Sequence, residues 1–310
     1  MRPVWGRRWR ALVLVAVGAF LLTGAAMLRW YAAPRAALLP LDPDVTVTLT
    51  GTGLVYDVVA GAPVAGDLTE RVAVRGGGGA GGVAVWDVDR RLARADGTPL
   101  RLDSERVALD RRTAAAVACC GERPRHTGLS YAFPPGCAPT DQPLWDQATG
   151  RAAPAAFAGE ETVAGLRVRR YEQAAGATDL GTAVVPGAPA PGADRETGRR
   201  TAETRRTLWV EPASGVVVRA LEWHRERLTL DAGRTLTLLD AELGTDAASV
   251  GRLTRLAQDR RTRLAALRTP VPLAVGVAGL LALACGLGYL IVTRRGEPAP
   301  QSPFAEVDRW

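Results

Sequence analysis

The chain has 310 residues and carries 39 basic side chains, every one of them arginine, against 32 acids. Without lysine there is neither Schiff-base chemistry nor a phosphate-loop lysine. The pI near 9.9 invites a nucleic-acid reading, but the charge distribution rejects it. Residues 36–245 hold 24 arginines against 27 acids, so the long middle of the chain is slightly acidic. The excess of positive charge sits near two apolar stretches: six arginines and no acid in residues 1–35, six arginines and two aspartates in 246–268.

The first apolar stretch, Ala11 to Leu28, runs 18 residues without a charge between Arg10 and Arg29. A bilayer core of about 30 Å needs roughly 20 apolar residues as helix, so a transmembrane helix over 11–33 is expected. Arg2, Arg7, Arg8 and Arg10 precede it with no acid among them. The positive-inside rule then puts residues 1–10 in the cytoplasm and sends the middle of the chain outward. A cleaved signal peptide is the alternative for this stretch, cut near Gly24-Ala25-Ala26, and it exports the middle of the chain equally well.

After Pro40 the pattern turns to β. Val45 to Leu49 alternates and stops at Gly51-Thr52-Gly53; Leu54 to Val59 is a second run, and Leu68 to Arg75 alternates again. The glycine block Gly76 to Gly82 is expected as a loop, since no dinucleotide or phosphate-loop pattern follows it. Further strands are expected over 83–89, 107–113, 165–171, 208–211, 215–221, 228–230 and 235–239. Pro212-Ala213-Ser214-Gly215 is the clearest of the turns between them. Val184 to Gly198, rich in Pro, Gly and Ala, reads as an exposed disordered loop.

The β pattern ends near Gly244. Val250, Leu253, Ala257, Leu264 and Leu267 then follow a helical rhythm over 246–268, with an apolar face that Arg260 interrupts. This juxtamembrane amphipathic helix carries Arg252, Arg255, Arg260, Arg261, Arg263 and Arg268, charges suited to anionic lipid headgroups. Packing of the helix on the sheet is the simpler reading. Thr269 to Thr293 is the second apolar stretch, 25 residues without a charge, and returns the chain inward to a cytoplasmic tail over 294–310.

Four cysteines remain. Cys285 lies inside the second apolar stretch as a small packing residue. Cys119, Cys120 and Cys137 fall in the exported part, where disulfides persist. A bridge from one of the adjacent pair to Cys137 is expected, which of the two being open. Closing so short a loop is worth about 3 kcal/mol in the chain-entropy account.

No catalytic constellation emerges. His126 and His224 are the two histidines, Ser130, Ser214 and Ser249 lie in no nucleophile-elbow context, and no metal-ligand spacing is present. Asp87 and Asp89 share one face of a strand, whereas the adjacent Glu160 and Glu161 point to opposite faces. The charged residues of Leu221 to Arg227 suggest a solvated face for that strand. No catalytic, cofactor-binding or metal-binding residue is assigned.

An ordered set of stretches carries a family resemblance. It runs from Asp110-Arg111-Arg112-Thr113 and Gly128-Leu129-Ser130-Tyr131-Ala132-Phe133-Pro134-Pro135 through Leu144-Trp145-Asp146 and Glu161-Thr162-Val163-Ala164-Gly165-Leu166 to Tyr171. It closes with Thr207-Leu208-Trp209-Val210-Glu211-Pro212 and Ser214-Gly215-Val216-Val217. Between two terminal apolar helices, this set resembles the actinobacterial PorA-type porin family, also known as a domain of unknown function. The resemblance covers most of the chain and implies a pore. The expected strands are too short and too rich in arginine for a transmembrane barrel, so a pore would have to be a helical oligomer.

The expected fold class is therefore an α+β membrane protein. A mainly antiparallel β ectodomain over 36–245 lies between an N-terminal and a C-terminal transmembrane helix, with both termini cytoplasmic. The expected function is a non-catalytic cell-envelope module that binds or hands on an envelope lipid, glycolipid or partner, with no cofactor and no nucleic acid. An oligomeric envelope pore and an envelope hydrolase are the alternatives.

Overall fold

The computed structural model describes residues 5–187 and 196–295, which divide into a helical unit from the two ends of the chain and a β unit, Ala37–Thr262. The expected cytoplasmic tail and the first residues of the chain lie largely outside the described residues. So do residues 188–195 of the expected disordered loop, whose flanks belong to strands.

In the helical unit, α1 (Trp5–Met27) continues through a π-helical turn (Leu28–Ala32) into a last turn, α2 (Ala33–Ala36); it pairs with α4 (Pro270–Arg295). The pair is antiparallel and set close by small residues. A Cβ on Gly18 would lie 2.7 Å from the Leu283 backbone nitrogen, and one on Gly286 2.9 Å from that of Val15. Close backbone approach at small residues is how helices associate where lipid removes the hydrophobic drive. Only 11 % of each apolar window is buried, which separates these helices from core helices of a globular domain. This is a two-span membrane protein. The pairing is directly testable: a Cβ on Gly276 would sit 3.7 Å from that of Ala25, within the range of a disulfide. Gly276→Cys with Ala25→Cys should oxidise to an intramolecular bridge, read as thiols lost to alkylation. Two thiols left fully reactive would mean the helices do not pair this way.

The β unit is a ten-stranded antiparallel sheet in the order β4-β3-β2-β1-β10-β9-β8-β7-β6-β5, curled into a half-barrel. Its strands are β1 (Asp44–Asp57), β2 (Ala62–Ala80), β3 (Val83–Arg94), β4 (Pro99–Asp110), β5 (Gln142–Asp146), β6 (Arg151–Val163), β7 (Leu166–Val184), β8 (Thr197–Glu211), β9 (Val216–Leu230) and β10 (Thr235–Thr245). They correct the sequence reading in length: β2 and β7 run 19 residues each, so shortness is no argument against a membrane barrel. Gly51 and Gly53 are not a turn but lie inside β1, where a Cβ on Gly51 would meet the Glu242 carbonyl at 1.9 Å. Of the glycine block, Gly76 to Gly79 belong to β2, while Gly81 and Gly82 form the turn into β3. Gly76 lets Asp42 approach to within 2.2 Å of where a Cβ would be, and the register slips between Gly76 and Gly79 as a bulge. β5 and β6 were not foreseen, the latter because Ala-rich sequence has low β propensity.

Hairpin chemistry fixes two of the turns. Ala164 and Gly165, both at positive φ (47° and 77°), join β6 to β7 as a two-residue turn of the kind that matches strand twist. Pro212 to Gly215 joins β8 to β9, with Ser214 N donating to Glu211 Oε2 at 2.7 Å. Trp209 is buried there.

The segment between β4 and β5 ties the two edge strands together. Val117 N donates to Ala108 O at 2.9 Å, Ala116 N to Gly128 O at 2.8 Å, and Leu129 N to Pro143 O at 2.7 Å. A hydrogen-bonded path thus runs from edge to edge and removes part of the exposed-edge liability of an open sheet. Asp110 starts this segment by accepting from the amides of Arg112 and Thr113. Phe133 anchors it, packing 4.8 Å from Tyr171 in a core that also holds Trp86, Leu109 and Leu208.

The cysteine expectation is overturned. Cys119 and Cys120 are bonded to each other, and Cys137 is a free thiol. The reason is placement: Cys137 is buried beside Tyr171 in the core, whereas the adjacent pair sits on a surface turn. Burial pushes the Cys137 thiol above its ordinary pKa and lowers its reactivity. Alkylation of denatured, unreduced protein should therefore modify two thiols, Cys137 and Cys285. A Cys137-containing disulfide peptide in the digest would refute the assignment.

Helix α3 (Ala247–Arg268) begins where β10 ends. Asp246 Oδ1 accepts from Ser249 N at 2.6 Å, and Ser249 Oγ accepts from Thr48 N at 3.0 Å, so the cap also pins the helix to β1. Val250, Leu253 and Ala257 pack against Val168, Trp209 and Val218. This is the amphipathic helix packed on the sheet.

Candidate functional site

The inner face of the half-barrel is not uniformly apolar. Glu222, His224 and Glu226 alternate along β9 and face inward, which corrects the expectation of a solvated face. Glu226 is buried and accepts from Arg101 at 2.6 Å and Arg200 at 3.0 Å, with His224 Nε2 3.0 Å away. Burial alone would raise the Glu226 carboxyl. The His224 hydrogen bond and the arginine charges outweigh it and hold the group well below the usual carboxylate range.

A second ion cluster centres on Arg206, which is also buried. It donates to Gln173 at 2.9 Å, to the Trp145 carbonyl at 2.6 Å and to Gln147 at 3.0 Å, and lies 3.6 Å from Asp146. Asp146 in turn accepts from Thr204 at 2.7 Å and from the Thr149 amide at 2.8 Å. Burial pushes its carboxyl up, and Arg206 with these hydrogen bonds more than offsets that, so it stays charged. Arg90 completes the set, 2.8 Å from Glu70 and 3.6 Å from Glu222.

Beside this charged layer lies an apolar cavity of about 190 Å³. Val45, Val47, Val72 and Val74 line it from β1 and β2, and Trp86 from β3. Tyr131, Phe133, Leu144 and Leu208 face it from the opposite side. Leu253, Leu256 and Arg260 of α3 close it. A smaller cavity of about 120 Å³ sits in the charged layer.

The sequence-flagged residues distribute unevenly around it. Arg260 alone among the six membrane-proximal arginines lines the cavity; Arg252 donates to the Thr46 carbonyl and to Ser249, and Arg255, Arg261, Arg263 and Arg268 are exposed. Asp87 and Asp89 are held separately, by Arg106 at 2.7 Å and by Arg75 at 3.0 Å. Glu160 pairs with Arg167, while Glu161 accepts from Trp209 Nε1 at 2.8 Å.

His126, Ser130 and Glu105 do come together. His126 Nδ1 lies 2.8 Å from Ser130 Oγ and Nε2 3.3 Å from Glu105, with the ring stacked on Trp145 at 4.5 Å. Ser130 is 0 % exposed and His126 is buried, and the group ties the closing segment to β4.

Part of the set that carried the family resemblance lines the cavity, at 131–133, 144–145, 208 and 214–217, whereas 110–113, 161–166 and Tyr171 do not. The family model described as Porin PorA matches residues 10–288. The chain belongs to the PorA porin family. A search of curated proteins finds no match. In this PorA-family chain, sequence reasoning missed Arg90, Arg206 and Glu222 as interior residues. Glu222 alternates with Leu221 and Trp223, but Arg90 lies between Asp89 and Arg91 and Arg206 between Arg205 and Thr207, where local sequence carries no sign of burial.

Proposed function

We propose that this PorA-family envelope protein is a non-catalytic binder, whose β unit takes up or hands on a lipid, glycolipid or similar amphiphile outside the cytoplasmic membrane, with both termini inside. The observation that carries this reading is the apolar cavity of about 190 Å³. Apolar cavities of about 150 Å³ bind small apolar ligands. Recruitment to a membrane surface is supported by the exposed arginines of α3, each worth about 1 kcal/mol near anionic headgroups. Native mass spectrometry of the full chain, released from nonionic micelles, tests the reading. A stoichiometric adduct of lipid mass that survives delipidation is expected. A chain carrying no adduct, and taking none up from added envelope lipid, would contradict it.

The family name favours a second reading, an oligomeric pore. Single-channel conductance from the purified full chain would support it, and a strictly monomeric state in the bilayer would sink it.

A further inference from the structure

We infer that the cavity accepts a single-chain amphiphile with an acidic head, and that Arg260 is the side chain that binds the head. This rests on the binder reading above and specifies its ligand.

Arg260 stands on the inward stripe of α3, in helical step with the apolar Leu253, Leu256 and Ala257. In the sequence it looked like a flaw in the apolar face; in the fold it closes the cavity. It makes no hydrogen bond or ion pair among the described residues. The other charged side chains facing the cavity are already engaged: Arg90 with Glu70 and Glu222, Arg206 with Gln173 and Trp145 O. The Glu222 carboxylate lies 3.6 Å from Arg90. Burial pulls the Arg260 guanidinium below its ordinary pKa, the mark of a desolvated cation with no counter-charge. Arginine stays charged even so, and its planar fork matches carboxylate and phosphate oxygens.

The volume limits the other end of the ligand. A cavity of about 190 Å³ is only modestly larger than the engineered one of about 150 Å³ that admits benzene. It holds a length of one alkyl chain, not the two chains of a phospholipid.

The test is photolabelling of the full chain in nonionic micelles, using a dodecanoate that carries a diazirine on its chain. Labelled peptides are mapped, and dodecanoate, dodecanol and phosphatidylglycerol compete. The inference expects labels at cavity residues such as Leu144 and Leu208, with dodecanoate competing about tenfold better than dodecanol, the scale of one hydrogen bond to a charged group. Arg260→Gln should erase that preference while keeping the label, and Arg260→Lys should retain part of it. Val217→Phe, which fills the cavity, should abolish labelling by any chain. Equal competition by dodecanol in the wild type would overturn the role of Arg260 and leave the binder reading standing. Phosphatidylglycerol competing as well as dodecanoate would overturn the single-chain limit. No label in the cavity from any probe would overturn both the inference and the binder reading.

Discussion

Arg206→Leu will lower the unfolding free energy of the β unit by about 3–5 kcal/mol, the usual result of removing one partner from a buried ionic group. Asp146 is 1 % exposed and would keep its charge with only Thr204 and Thr149 to satisfy it. Gln173 would also lose a partner, although it donates to the Leu144 and Ala153 carbonyls and still holds β7 to β5 and β6. The measurement is denaturant unfolding of the full chain followed by tryptophan fluorescence; a shift under about 1 kcal/mol would mean that the cluster is solvated, as exposed pairs are. Acid gives a second readout. Asp146 and Glu226 both titrate below their ordinary values in the fold. Their stabilisation is complete above the unfolded value of about 4 and is lost as pH falls through the lower folded values. Without Arg206, only the Thr204 and Thr149 hydrogen bonds oppose the upward push of burial on Asp146, so the gap between wild type and variant should narrow as pH drops from about 7 to about 3.

Phe133→Ala should cost a similar amount, about 3–5 kcal/mol, by emptying a fully enclosed aromatic site. Phe133 is 1 % exposed, its ring meets Tyr171, and its amide donates to the Gly215 carbonyl at 3.1 Å. Gly215 has no room for a Cβ, which would lie 2.0 Å from Phe133 O, so the β8–β9 turn and the closing segment fit each other backbone to backbone. Loss of the ring should therefore loosen the closing segment before the sheet. Hydrogen exchange should show Val117 and Leu129 amides losing more protection than those in the centre of β10. Equal loss at both places would show that the segment unfolds only with the whole sheet.

Length and hydropathy by themselves determined the two spans. A charge-free run long enough for a bilayer has few other uses, and neighbouring residues decide it. The Pro212–Gly215 hairpin and the α3 rhythm were legible for the same reason: turn chemistry and helical periodicity are local. The resemblance was legible too, since its stretches keep their order along the chain.

Only the tertiary structure decided what faces inward. Alternation in β9 marks two faces, but closure of the sheet chooses which one is the interior, and Glu226 is buried because Arg101, 125 residues away, meets it there. Locally Gly51 reads as a turn and Gly76 as a loop, while both lie in strands against Glu242 and Asp42. Cys137 was paired on sequence distance, and the core that encloses it lies outside any local window. Arg260 broke a pattern in one dimension and lines a cavity in three. Sequence fixes what each segment can form with its neighbours. Which charges are neutralised and which space stays empty depend on contacts between residues a hundred or more positions apart.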